Sequence, residues 1–131
     1  SVFLKGFTSI LLESLVAAHQ VGAEERVLDS LQSTFPEMDW RKVADYYAAR
    51  LFRHARRQSA EMHEVAETLT ELGVAPITAL ASAERLAWLA DLSLGTQPKG
   101  YAELLRAIDE AEQHAEEANG EIRDRAAHAS P

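Results

Sequence analysis

Cysteine is absent from the 131 residues, so disulfides, thiolate nucleophiles and thiolate metal ligands are all excluded. The setting this fits is a reducing one, and the expected location is cytoplasmic. Glycine is scarce and scattered. The six glycines form no GxGxxG and no Walker pattern, so no loop for cradling phosphates is encoded. Positive charge is in deficit. A net charge of −8 argues against non-specific binding to nucleic acid or to an anionic membrane surface. Long apolar runs are missing too, and none approaches the roughly 20 residues that span a bilayer. The opening SVFLKGFTSILLESLVAA is interrupted by Lys5, Gly6, Thr8, Ser9 and Glu13, and no cleavage-like site follows, so it does not read as a signal peptide. No alternation of strand type and no internal repeat occurs.

What remains is helical periodicity. Apolar residues make up 47% of the chain, enough for one domain with a real core. The organising stretch is Gln58 to Leu94, read as two helices around a tight corner. Met62, Val65, Ala66, Leu69 and Leu72 recur at steps of three and four. Gly73 is the expected stop and Pro76 the expected restart. The helix from about Pro76 to Leu94 carries only Glu84, Arg85 and Asp91 as charges, which suggests burial within the domain and also against something outside it.

The first helix is expected to end near Gln20, with Gly22 as its stop and no N-cap before its apolar residues. Phe3, Phe7, Ile10, Leu11, Ala17, Ala18 and Val21 form its broad apolar face. Lys5, Ser9, Leu12, Val16 and Gln20 lie on a mixed arc, where Gly6 and Ser9 leave room for another backbone. A short helix follows from Ala23 to Ser33, facing in with Val27, Leu28 and Leu31. Pro36 breaks the chain and Asp39 caps the next helix, Trp40 towards Arg57, whose stripe is Val43, Ala44, Tyr47, Ala48 and Leu51. RHARRQSAE reads as a kink or a loop. After the loop GTQPKG, a last helix starts near Tyr101 and uses Leu104, Leu105, Ile108 and Ala111. The division is a core over residues 1–95, a loop and final helix over 96–118, and a frayed tail over 119–131.

Candidate chemistry is sparse. Glu67 stands where the zinc-protease helix motif needs its second histidine, and none of the five histidines has a glutamate three residues before it, so no metal site is expected. Ser9 and Ser14 have no histidine at a spacing that would activate them. No catalytic residue is assigned. Arg50, Arg53, His54 and Arg57 share a helix face, either as a seat for a carboxylate or phosphate or as a salt-bridged surface. Glu61 and Glu64 stand at the start of the Met62 helix, where glutamates favour the helix dipole or could serve a cleft.

Three pieces in order resemble one family: LKGFTSILLESLVAAHQVGAEERVLDSL, RRQSAEMHEVAETLTELGVAP and the alanine-rich helix ending LAWLADLSLG. They are similar to the helical C-terminal domain of bacterial NAD(P)-dependent oxidoreductases related to phosphogluconate dehydrogenase and the 3-hydroxyacid dehydrogenases, long labelled a domain of unknown function. Lys5–Gly6 and the stretch Glu61 to Pro76 are the most specific parts, and the resemblance covers about Ser1 to Gly95.

The resemblance implies an all-α, multi-helix orthogonal bundle of the phosphogluconate-dehydrogenase C-terminal-domain type. It implies a homodimer and an N-terminal Rossmann domain, outside this chain, that binds NAD(P). The helical domain would form the substrate cleft for hydride transfer at a carbonyl or imine carbon of a small substrate. Lys5, Ser9, Glu61 and Glu64 are the expected substrate contacts, and Arg50, Arg53 and Arg57 a possible anion-binding face. Aligned on Gly22, the family's catalytic lysine falls at or just before Ser1, where this chain has none. No cofactor is therefore expected on this chain alone, and no catalysis. The alternative is a stand-alone, homodimeric helical interaction module.

Overall fold

A computed structural model describes residues 1–129, and the last two residues of the expected tail lie outside it. The chain is all-α, with five helices and no strand among the described residues. They are α1 Val2–His19, α2 Glu24–Thr34, α3 Trp40–Glu71, α4 Ile77–Asp91 and α5 Tyr101–Ala129. α3 is the spine, and every other helix packs against it.

Helix ends follow local chemistry. Asp39 accepts a hydrogen bond from the Lys42 N–H at 3.3 Å and caps α3. At the other end Gly73 takes φ +81°, the Gly73 N–H bonds the Thr70 carbonyl, and the Val74 N–H reaches the Leu69 carbonyl at 2.9 Å. Gly22, at φ +67°, closes α1 the same way, with the Ala23 N–H on the Ala18 carbonyl. Both are left-handed caps that glycine adopts without a Cβ clash. Contrary to expectation, α1 does have an N-cap: the Ser1 hydroxyl accepts from the Leu4 N–H at 3.4 Å.

Two further expectations need correction. α3 is one continuous helix of 32 residues with no loop at RHARRQSAE. That stretch contains neither glycine nor proline, and its arginines, alanines and glutamate favour helix. The buried side of α1 lies between its two expected arcs: Ser9 and Leu12 from the mixed arc are buried with Leu11 from the apolar one and with Thr8 and Leu15, whereas Phe3, Ile10 and Val21 are exposed. α5 is helical through Gly120 to Ala129, and beyond Glu112 it is almost wholly exposed.

Small residues explain which side of α1 faces in. A Cβ added at Gly6 would lie 3.8 Å from the Ser82 hydroxyl of α4, so this side of α1 comes close to α4. α3 and α4 meet through Ala55, Ser59, Met62 and Ala66 on one helix and Ala79, Ala83 and Leu86 on the other, all buried. Within that seam the Ser59 hydroxyl donates to the Ala83 carbonyl at 2.8 Å. A second cluster of Leu11, Leu15, Leu28, Trp40, Ala44 and Leu105 ties α1, α2 and α5 to the first half of α3. α1 is long and apolar enough, by length and composition, to cross a membrane, yet Leu11, Leu12 and Leu15 are spent in these two clusters.

The α3–α4 corner leaves Leu72, Val74, Ile77 and Leu80 exposed, Leu72 at 71% and Leu80 at 44%. Leu72 is thus not core, contrary to its place on the apolar stripe. Trp88 and Leu92 are partly covered, and the Arg85 guanidinium lies 4.8 Å from the Trp88 ring centroid.

α5 starts against α3. The Tyr101 N–H donates to Asp45 Oδ1 at 2.9 Å, and the Tyr101 hydroxyl donates to Glu25 Oε1 at 2.7 Å. Burial, and then that bond, push the Tyr101 phenol up to about 12. A Cβ on Gly100 would collide with the Asp45 carboxylate. Gly100→Ala should therefore cost about 1–2 kcal/mol, of the order of losing a helix cap. Chemical denaturation checks this, with Asp45→Ala as the companion variant. By contrast, ending the chain after Glu112 should leave the melting temperature within about 4 °C, less than a change of about 1 kcal/mol gives in a domain of this size. A much larger drop by calorimetry would mean that the distal half of α5 is held by contacts its exposure does not reveal.

Candidate functional site

On α3, Tyr46, Arg50, Arg57 and Glu61 are separated by steps of four, seven and four, so they project from one side. The first turns of α1 lie over that side. Between them opens a cleft of about 340 Å³ lined by Leu4, Lys5 and Thr8 from α1 and by Tyr46, Tyr47, Arg50, Leu51, Arg57, Gln58 and Glu61 from α3.

Charge in the cleft opposes that of the chain. Three cationic side chains line it, with Glu61 as the one carboxylate side chain, in a protein of net charge −8. Lys5 Nζ stands 3.2 Å from Glu61 Oε2, and Arg57 Nε 3.5 Å from Glu61 Oε1. These partly exposed pairs contribute at most about 1 kcal/mol each. Their effect is geometric, since Glu61 draws the two cations to one end. Arg50 carries no carboxylate partner among the described residues, and its guanidinium sits 5.8 Å from the Tyr46 ring centroid.

The floor holds an unusual group. Gln58 is only 7% exposed, yet its side-chain amide makes no hydrogen bond to any described residue. Among the described residues the one fully enclosed side-chain polar atom without a partner is Glu24 Oε2; the Gln58 amide is open to the cleft and free to meet whatever occupies it. The adjacent Thr8 hydroxyl donates to the Lys5 carbonyl at 3.0 Å, which leaves its oxygen lone pairs free.

The field reaches His54. Burial first, then the charges of Arg57, Arg50 and Arg53, hold its imidazole below the ordinary histidine value. Elsewhere His19 Nδ1 pairs with Glu24 Oε1 at 3.1 Å, and the Glu24 carboxyl is lowered by a backbone hydrogen bond and by that histidine. Among the described residues no three His, Asp or Glu side chains converge as metal ligands would.

Of the residues singled out by spacing, Lys5, Glu61, Arg50 and Arg57 come together in the cleft. Ser9, Glu64 and Arg53 do not. Ser9 is buried one turn behind the cleft, its hydroxyl donating to the Lys5 carbonyl at 2.8 Å, because its side of α1 faces the core. Glu64 is exposed outside the cleft. Arg53 is offset around the helix, lines a separate depression with Arg56 and Leu89, and donates to Gln97 Oε1 at 2.9 Å. Gln58, Thr8 and Tyr46 were not singled out by their spacing. Gln58 did carry a signal, as a polar residue in the seam Leu51, Ala55, Gln58, Met62, where every neighbour is apolar.

An apolar groove of about 640 Å³ adjoins the cleft and shares Leu4, Tyr46 and Tyr47 with it. Phe3, Phe7, Phe35, Met38 and Trp40 extend it, and Phe3 is 77% exposed. The edge of the Tyr47 ring meets Phe7 at 5.8 Å between centroids. Along α3 the surface thus passes from aromatic, at Trp40 to Tyr47, to cationic, at Arg50 to Arg57.

Comparison with known proteins agrees with this fold. No curated protein matches the chain. A solved structure titled a conserved hypothetical protein from Sinorhizobium meliloti 1021 superposes with a TM-score of 0.77 and 36% sequence identity, over 84% of this chain. The match spans 38% of that protein's length. The family model described as domain of unknown function DUF1932 matches residues 18–89, more than half of the 131, and the chain belongs to that family.

Proposed function

We propose that this domain is the substrate-cleft and dimerisation half of a cytoplasmic NAD(P)-dependent oxidoreductase, acting on a small substrate by hydride transfer at a carbonyl or imine carbon. The observation that carries the reading is the cleft: Lys5, Arg50 and Arg57 are gathered over an unpartnered Gln58 amide in an otherwise acidic chain. The nicotinamide would supply the hydride chemistry when bound. The reading assigns the dinucleotide to a Rossmann domain outside this sequence, which is supported by the lack, among the described residues, of a strand leading into a glycine-rich turn that could hold a pyrophosphate. A match spanning only 38% of the solved neighbour supports a larger parent. The residues of the cleft bind and orient an anionic substrate group, and helix walls on two sides limit its contact with water.

Dimerisation rests on the corner of α3 and α4. Leu72, Val74, Ile77 and Leu80 form an exposed apolar cluster of the kind that marks an interface. The same cluster supports the second reading, a helical homodimer with no enzyme partner.

Three measurements test these statements. Calorimetric titration of NADPH into the chain should show no tight 1:1 binding, and a sub-micromolar site would contradict the assignment to a second domain. Sedimentation should give a dimer at about 50 µM, weakened at least tenfold, or about 1.4 kcal/mol, by Ile77→Glu. A monomer would remove the dimerisation role. For the cleft, the NMR titration of His54 should fall below the ordinary histidine range and move up in Arg57→Gln. The sign follows from linkage: the folded chain takes the His54 proton less readily than the unfolded chain does. The contribution of His54 to stability is present above the unfolded value and is lost as pH falls through it towards the depressed folded value.

A further inference from the structure

We infer that the cleft takes an amphipathic organic anion, with a carboxylate or phosphate head at Arg50, Arg57 and Gln58 and an aryl or alkyl body along Leu4, Tyr46 and Tyr47. The inference rests on the cleft being a substrate site, and it names the class of substrate.

Two observations lead to the head group. The first is charge: with Glu61 satisfied by Lys5 and Arg57, the lining retains an excess of positive charge, and Arg50 has no carboxylate partner among the described residues. Arginine offers paired donors to planar or tetrahedral oxyanions. The second is Gln58, more than nine-tenths buried and without a hydrogen bond, at the floor of that cleft. Its amide is open to the cleft and not tied to a protein partner, so a ligand oxygen there would accept from it.

The body follows from adjacency. The apolar groove lies directly beside the cationic cleft, and Leu4, Tyr46 and Tyr47 line both. A small hydrophilic acid would leave that aromatic wall in water, whereas an aryl or alkyl chain of several carbons would cover it. Arg50 over the Tyr46 ring stands at the junction, where the head ends and the body begins.

The test uses the 131-residue chain and four probes: sodium octanoate, acetate, inorganic phosphate and 1-octanol, titrated by calorimetry at low ionic strength. Octanoate should bind 1:1 and at least tenfold more tightly than acetate, phosphate or octanol. Octyl phosphate run beside octanoate separates the two head groups. Gln58→Leu should weaken octanoate at least fivefold while leaving the melting temperature unchanged or raised, since the amide it removes makes no hydrogen bond within the described protein. Arg50→Gln should weaken it as well, with folding checked by circular dichroism. If acetate and phosphate bind through Arg50 and Arg57 but octanoate binds no better, the amphipathic class is wrong and the substrate-cleft reading stands. If none of the anions binds, both fall. Octanoate binding that is unchanged in Gln58→Leu and Arg50→Gln would place it in the apolar groove alone and also overturn the inference.

Discussion

The close approach of α3 and α4 is the constraint on which the rest of this molecule depends. Two helices come close only where side chains are small, and here Ala55, Ser59 and Ala66 face Ala79 and Ala83. The Ser59 hydroxyl crosses the seam to the Ala83 carbonyl, so the contact is polar at its centre and apolar around it. A buried hydroxyl that finds a carbonyl costs little, and it fixes the register of the two helices more sharply than alanines alone could. Once α4 is fixed, Gly6 sets α1 beside it, and the first turns of α1 are then placed over the middle of α3. The cleft is a consequence of that stacking.

α3 matters for a second reason. As an unbroken helix of 32 residues it extends about 48 Å, at 1.5 Å per residue. It carries an aromatic wall near its start, arginines in its middle and the α4 seam along its second half. A hinge at residues 53–61 would have uncoupled these regions. Because the helix is continuous, the spacing between Tyr46, Arg50 and Arg57 is set by helical geometry and not by loop conformation. Sites built on rigid helices hold their groups to tighter tolerances than sites on loops.

The polarity of the surface departs from that of the whole chain. The net charge is −8, yet positive side chains converge at one place and, together with the larger effect of burial, hold the His54 imidazole low. Glu61 tempers that convergence without neutralising it. Most of the exposed large apolar residues, though not Ile10 or Val21, gather in the groove beside the cleft and at the α3–α4 corner, two separate places that a lone helical bundle would ordinarily cover.

Amino-acid order by itself determined the all-helical class, the left-handed stops at Gly22 and Gly73, the Asp39 cap and the pairing of an alanine-rich helix with the Met62 stretch. These are local properties: a cap, a φ above zero or a period of 3.6 is set within a few residues. Lys5, Glu61, Arg50 and Arg57 were legible as charged positions, but not as neighbours. Only the tertiary structure decided that α1 buries a side between its two arcs, that Ser9 belongs to the core, and that Arg53 leaves the cluster. It alone turned Gln58 from a polar break in an apolar seam into the floor of a cleft. The physical reason is that the choice of face depends on shape complementarity between distant segments, and the small residues that allow close approach act only once their partners are in place.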